Sequence, residues 1–189
     1  MPIQKGVDKW KLKKWFLVIA PKMFNEATIT EMPATDEKKV VGRNIVIGLD
    51  ALTGNPAHAY TNATLKIVEL NGERAITKLI QLELVASYIK SFVRRYKSTT
   101  HLILPVTTKD GKNVVVKLIA VTRTKTATSK LKGMRKEMSE FSKEYFQSND
   151  LDSALKSIID GNFQTDLGAR IKHIAELSKL EVRKLEIKS

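Results

Sequence analysis

The chain has 189 residues, 42% of them hydrophobic, enough to bury the core of one domain, alone or with a small helical annex, and too apolar for a disordered chain. Against 20 acids stand 33 lysines and arginines, a formal net charge of +13, and a surplus of that size favours a polyanionic partner, nucleic acid above all. No cysteine is present, which excludes disulfides, thiolate metal sites and cysteine nucleophiles and fits an intracellular setting.

Residues 1–14 read as a basic arm, with Lys5, Lys9, Lys11, Lys13 and Lys14 against Asp8 alone. The apolar run from Trp15 to Pro21 is far short of the roughly 20 residues a membrane helix needs, and Pro21-Lys22 follows where a signal-peptide cleavage site would lie. The expectation is a soluble cytosolic protein with no membrane partner. Residues 15–20 read as a short strand with Trp15, Leu17 and Ile19 on one face. Pro21 and Pro33 argue against regular structure through most of 21–36.

Residues 40–49 are β-branched and apolar, with Gly42 marking a bulge, and 52–56 is loop chemistry. A first hairpin follows, "ATLKIVEL-NG-ERAITKLIQL", whose Asn71-Gly72 suits a two-residue type I′ turn. The second is "HLILPVTT-KDGKN-VVVKLIAVTR", with Asp110-Gly111 at the turn and Pro105 placing its strand at an edge or a bulge. Between them, about 83–97, the period turns helical. Val85, Ile89, Phe92, Val93 and Tyr96 form one stripe and Lys90, Arg94 and Lys97 the opposite one.

From 129 the chain reads as helix, with an apolar stripe through Leu131, Met134, Met138, Phe141 and Tyr145. A second helix is expected after a cap at Asn149 or Asp150 and stops at Gly161; a third covers roughly 165–178. The last segment alternates through Leu180 and Val182 and changes phase at Leu185 and Ile187, the pattern of a strand with a bulge. The fold class expected is α+β: a mainly antiparallel, β-barrel-like sheet with one inserted helix, then a helical C-terminal section whose last strand can return to the sheet. The divisions are a basic arm at 1–14, a β-rich core at 15–128 and a helical section at 129–189.

Little in the sequence points to catalysis. His58, His101 and His173 lie in separate settings, and no metal-ligand spacing, phosphate loop or nucleophile elbow occurs, so neither metal nor cofactor is expected. Glu137, Glu140 and Glu144 interleave with Arg135, Lys136 and Lys143 as helical ion-pair partners do. Charge is better organised than chemistry. From Gly111 through Lys136 the chain carries Lys112, Lys117, Arg123, Lys125, Lys130, Lys132, Arg135 and Lys136 and no acid. Cations at a helix start oppose its dipole unless phosphates share the site, and Thr122, Thr124, Thr126, Thr128 and Ser129 add hydroxyls that suit phosphate and sugar oxygens. A phosphorylatable loop has the same composition. Without a recognition helix, zinc finger or aromatic single-strand motif, the pattern points to contact with the backbone of a folded polyanion.

Five segments, "WFLVIAPKMF" (15–24), "TTKDG" (107–111), "GMRKEM" (133–138), "SNDL" (148–151) and "VRK" (182–184), occur in the order and spacing of one family. From about Lys9 to Lys188 the chain resembles the archaeal and eukaryotic ribosomal proteins called S-three-a, eukaryotic-type S-one. The resemblance implies a β-barrel-like sheet with helices around it and a structural component of the small ribosomal subunit, not an enzyme. It implies a place on the platform near the messenger exit, with small-subunit ribosomal RNA and neighbouring ribosomal proteins as partners and messenger RNA or initiation factors close by. By the motif match, RNA-facing residues are Lys13, Lys14, Lys22, Arg43, Arg123, Lys125, Arg135 and Lys136. Lys11 in the arm, Arg94 on the basic stripe, and Lys130 and Lys132 in the acid-free run complete the candidate set. Eukaryotic members carry longer basic tails and a longer loop at 122–132, so the short form resembles archaeal members. A free-standing nucleic-acid-binding regulatory protein is the competing reading.

Overall fold

The fold follows from where each strand finds a partner. The computed structural model describes Trp10 and residues 13–188, and Lys11 with most of the expected arm lies outside them. In chain order the elements are β1 (Lys14–Ile19), β2 (Thr28–Ala34), β3 (Asn44–Gly48), α1 (Leu49–Thr53), β4 (Thr61–Asn71), β5 (Arg74–Leu84), α2 (Ala86–Phe92), β6 (Thr99–Thr107), β7 (Asn113–Thr122), α3 (Thr128–Ser148), α4 (Leu151–Asp160), α5 (Asn162–Ile171) and β8 (Leu177–Lys188). This is an α+β chain on one mostly antiparallel sheet, with a helix inserted between the hairpins and helices toward the C-terminus.

Strand β5 is the hub. One edge takes β4 along its length, with β3 beyond. The other edge is shared: β1 runs parallel to its start (Leu17↔Arg74 to Ile19↔Ile76), while β8 lies antiparallel to its end (Gln81↔Glu186 to Glu83↔Lys184). The sheet therefore forks into a β1–β2 arm and a β8–β7–β6 arm, and the barrel-like form is realised as an open sheet. Bulges let the long strands keep an apolar face through the fork. Val68 and Ile80 are the extra residues of the first hairpin, and beyond Ile80 the buried side chains pass from Ala75, Thr77 and Leu79 to Leu82. In β8 the extra residue is Arg183, between Val182↔Leu118 and Lys184↔Lys117, where the sequence changes phase.

Several local expectations change once tertiary partners are present. Pro33 sits inside a strand after all, opposite Trp15; β2 is an outer strand, where a missing N–H costs no ladder bond. Pro105 is likewise in the outer strand β6. The first hairpin turn falls one residue later than Asn71-Gly72. Asn71 pairs with Arg74, leaving Gly72 and Glu73 as the loop, and only Gly72 takes positive φ (+63°), which excludes type I′. The strand expected over 40–49 is confined to 44–48, because Leu49–Thr53 coil into α1, closed by Gly54 in the left-handed region. Helix α2 ends at Phe92 rather than near 97, because the chain must reach the sheet edge where Thr99 pairs with Val121. Helix α5 starts at Asn162 and stops at Ile171, so Ile174 lies past its end.

Helices α3, α4 and α5 cover one face of the sheet. Met134, Met138, Phe146, Leu155, Ile158, Phe163, Leu167 and Ile171 share one core with Leu65, Leu82, Leu104, Val116, Leu118, Val182 and Leu185. Phe163 is the keystone of this layer, fully buried, with ring centroids 5.0–5.9 Å from Phe141, Tyr145 and Phe146. A smaller core of Phe16, Ala34, Val40, Ile67 and Ala75 fills the other arm. There the buried face of β1 is Phe16 and Val18, and Trp15 stays exposed.

Helix α4 is capped from a distance. Neither Asn149 nor Asp150 caps it with its side chain: Asn149 Nδ2 instead donates to Tyr145 O at the end of α3. The Leu151 amide donates to Asp110 Oδ2 (3.2 Å), 41 residues earlier in the β6–β7 loop, and the Lys109 amide donates to Asn149 O (3.3 Å). The "TTKDG" and "SNDL" segments thus meet, and each fixes the other.

Candidate nucleic-acid interface

The end of β7 and the start of α3 are held by their own hydroxyls. Thr122 Oγ1 is buried and lies within hydrogen-bond distance of Thr124 O (2.7 Å) and Ser98 O (3.1 Å), while the Thr126 hydroxyl donates to Thr124 O (3.1 Å). Two of the five hydroxyls expected to meet a ligand are therefore spent on the chain itself; Thr124, Thr128 and Ser129 remain exposed. Bracing the turn this way fixes the directions in which Arg123 and Lys125 project. Helix α3 then begins at Thr128 with no side-chain cap, so its first amides face outward among cations.

Arg123 is anchored at both ends. Its amide donates to Glu176 O (2.9 Å) and its guanidinium to Glu176 Oε1 (2.7 Å), a pair exposed on both sides. Such a surface pair is worth roughly 0–1 kcal/mol, so it holds Arg123 only weakly against a competing anion. Lys125, Lys130, Lys132, Arg135 and Lys136 are all exposed, and Lys136 has only a long contact to Glu140 (3.9 Å).

Helix α3 is electrically two-sided. At about 100° per residue, Lys132, Arg135, Lys136 and Lys143 share one flank, and Glu137, Glu140 and Glu144 the other. The acids do not mainly serve as partners within the helix. Glu137 Oε2 and Glu144 Oε2 both accept from Arg170 of α5 (3.2 and 2.8 Å), whose basicity is raised chiefly by the bond to Glu144. Arg170 gathers the negative charge to one side and leaves the other flank of α3 basic.

That basic flank lies beside β6. His101, on β6, is exposed at its surface and only partly desolvated; its pKa is held below its ordinary value first by that partial desolvation and then by the charges of Arg183 and Arg135. The "GMRKEM" and "VRK" segments therefore contribute to one cationic neighbourhood. Arg183 was not in the candidate set; its only signal is the phase change that makes it the bulge residue. Elsewhere basic residues are neutralised. Lys117 and Lys184 both hold Glu186 (3.0 and 2.9 Å), whose pKa they depress, Lys184 by the stronger effect, and Lys184 also reaches Glu83 (3.5 Å).

The structure splits the candidate set. Arg123, Lys125, Lys130, Lys132, Arg135 and Lys136 form one tract on the β7–α3 segment. Arg94 belongs near it, because the α2–β6 loop is tied to the junction: the Ser98 amide donates to Thr122 Oγ1 (3.1 Å), the Thr122 amide to Ser98 O (2.9 Å) and the Thr126 amide to Ser98 Oγ (3.0 Å). Lys13, Lys14 and Arg43 sit on the other arm of the fork. Lys13 lies over the Trp10 ring (3.7 Å) and Arg43 donates to Met32 Sδ (3.7 Å). Lys14 shares a recess with Lys38 and Lys39, two cations the sequence reading passed over. Lys22 stands apart from these, beyond the far end of β1.

Among the described residues no group of His, Asp or Glu is placed to hold a metal ion, and no helix is long and apolar enough to cross a membrane. Residues 3–189 match the model of the ribosomal S3Ae family. The chain belongs to that family. Its relatives include proteins named small ribosomal subunit protein eS1. That of Sulfolobus acidocaldarius is 34% identical over 181 residues, covering 95% of this chain and 92% of the relative. Those of Saccharolobus islandicus and Staphylothermus marinus are 33% and 34% identical, each over 95% of this chain and 86% and 85% of their own. An S3Ae-family chain belongs to a structural, not an enzymatic, family.

Proposed function

We propose that this S3Ae-family chain is a constituent of the small ribosomal subunit, in the cytoplasm, and that its β7–α3 tract binds the subunit's ribosomal RNA. One observation carries the reading: the acid-free run folds into a braced strand end, a rigid junction and an uncapped helix start, with Arg135 and Arg183 converging nearby. Cations carried on a braced backbone, with outward amides, neutralise closely approaching phosphates and hold RNA geometry without reading bases. Names of relatives as small-subunit proteins support the assembly, and the family resemblance supports a platform site near the messenger exit, beside other ribosomal proteins and within reach of messenger RNA and initiation factors.

Sedimentation tests the assembly: the protein is expected to travel with small subunits in moderate salt. A wholly free pool would instead favour a free-standing nucleic-acid-binding regulator. The interface is tested by replacing Arg123 and Lys125 together with glutamine, which spares Glu176 a like-charge neighbour. Affinity for small-subunit ribosomal RNA is expected to fall, and the slope of log K against log salt to shrink by about 0.7–0.9 per lost phosphate contact, with thermal unfolding nearly unchanged. An unchanged slope removes this junction from the interface.

A further inference from the structure

Tyr96 is 87% exposed and its backbone takes φ +65°. Among the described residues only Asn25 and Glu26 are other non-glycine residues with positive φ, and neither carries a bulky ring. An aromatic residue in the left-handed region is strained, and such strain persists only where surrounding structure enforces it. Here both flanks enforce it. Upstream, the Val93 amide donates to Ile89 O and Arg94 Nε to Ser91 O (2.9 Å). Downstream, Lys97 Nζ donates to Ser178 Oγ (2.7 Å), and Ser98 is locked to Thr122 and Thr126.

Packing gives no reason for the ring's position. Among the described residues it stacks on no other ring and no cation lies over it, whereas exposed Tyr60 stacks on Tyr88 at 4.6 Å. Exposed Arg94 and Arg95 precede it, Lys97 follows, and the Ser98 bonds join the loop to the Arg123–Lys125 junction. A free aromatic face held outward between cations is what an unstacked nucleotide requires: the ring for the base, the guanidinium groups for flanking phosphates.

We infer that Tyr96 is a stacking platform for an unpaired base of the bound RNA, with Arg94 and Arg95 holding its backbone. The inference rests on the RNA-binding reading above and adds a single-stranded or bulged nucleotide to it. The tract on β7–α3 neutralises backbone; Tyr96 engages a base that has left its helix.

The test measures binding of the full chain to purified small-subunit ribosomal RNA across a range of salt concentrations. Tyr96→Ala is expected to weaken binding about 5- to 150-fold with an unchanged salt slope, since no phosphate contact is lost. Tyr96→Trp is expected to keep the affinity. Tyr96→Gly is expected to bind as weakly as Tyr96→Ala yet melt at a higher temperature than wild type, because glycine relieves the left-handed strain. The inference fails if Tyr96→Ala binds like wild type while the Arg123/Lys125 double variant weakens, or if Tyr96→Ala also lowers the slope, which would mark a displaced loop. A wild-type chain with no salt-dependent binding overturns the RNA reading itself, and this outcome is distinct from the other two.

Discussion

His101 shows how one residue registers its surroundings. It lies on the outer strand β6, and partial desolvation, Arg183 and Arg135 all favour its neutral form, so its folded pKa lies below the ordinary value of about 6.5. Between the lowered and the ordinary value the unfolded chain binds a proton that the folded chain does not, so stability falls as pH drops through that window. Denaturant unfolding at neutral and mildly acid pH is expected to show wild type losing more stability on acidification than His101→Gln. Equal losses would mean that the fold does not lower the pKa of this imidazole.

At the scale of elements, the corner between α3 and α4 depends on the β6–β7 loop. Asp110 accepts the first amide of α4, the service an N-cap residue normally performs from within its own helix. Asp110→Ala is expected to cost about 0.5–2 kcal/mol in unfolding free energy, and Asp150→Ala clearly less, although Asp150 occupies the cap position by sequence. Calorimetry on the two variants decides it, and the reverse order would refute the long-range cap. Features of this kind separate what the sequence discloses from what it hides. Alternation in the hairpins, Gly161 ending α4 with φ +83°, and the phase change between Val182 and Leu185 are local and legible in the sequence, although the bulge residue itself, Arg183, is not. The β2 strand around Pro33, the early end of α2, the Asp110 cap and the Ser98–Thr122 tie all depend on partners distant in sequence. So does the candidate interface. The acid-free run is visible as composition, but the arrival of Arg183 and Tyr96 beside it depends on which strands pair, and no window of sequence contains that.

For the whole molecule, the proposed RNA binding gives the same net charge opposite consequences in the free and the bound protein. The free chain carries +13, with cations concentrated on β7–α3 where few acids answer them, and their mutual repulsion opposes folding. Most ion pairs present are exposed or half-exposed and contribute little singly, so screening removes more repulsion than attraction. Raising salt is therefore expected to raise the melting temperature of the free protein while steeply weakening its affinity for ribosomal RNA, through loss of the counterion-release drive. Thermal melts and binding isotherms on one salt series read both slopes. A melting temperature that falls with salt would show that the Arg170–Glu137–Glu144 and Lys117–Glu186–Lys184 networks outweigh the repulsion. The basic tract would then be electrostatically tolerated in the free fold, with no need of RNA to relieve it.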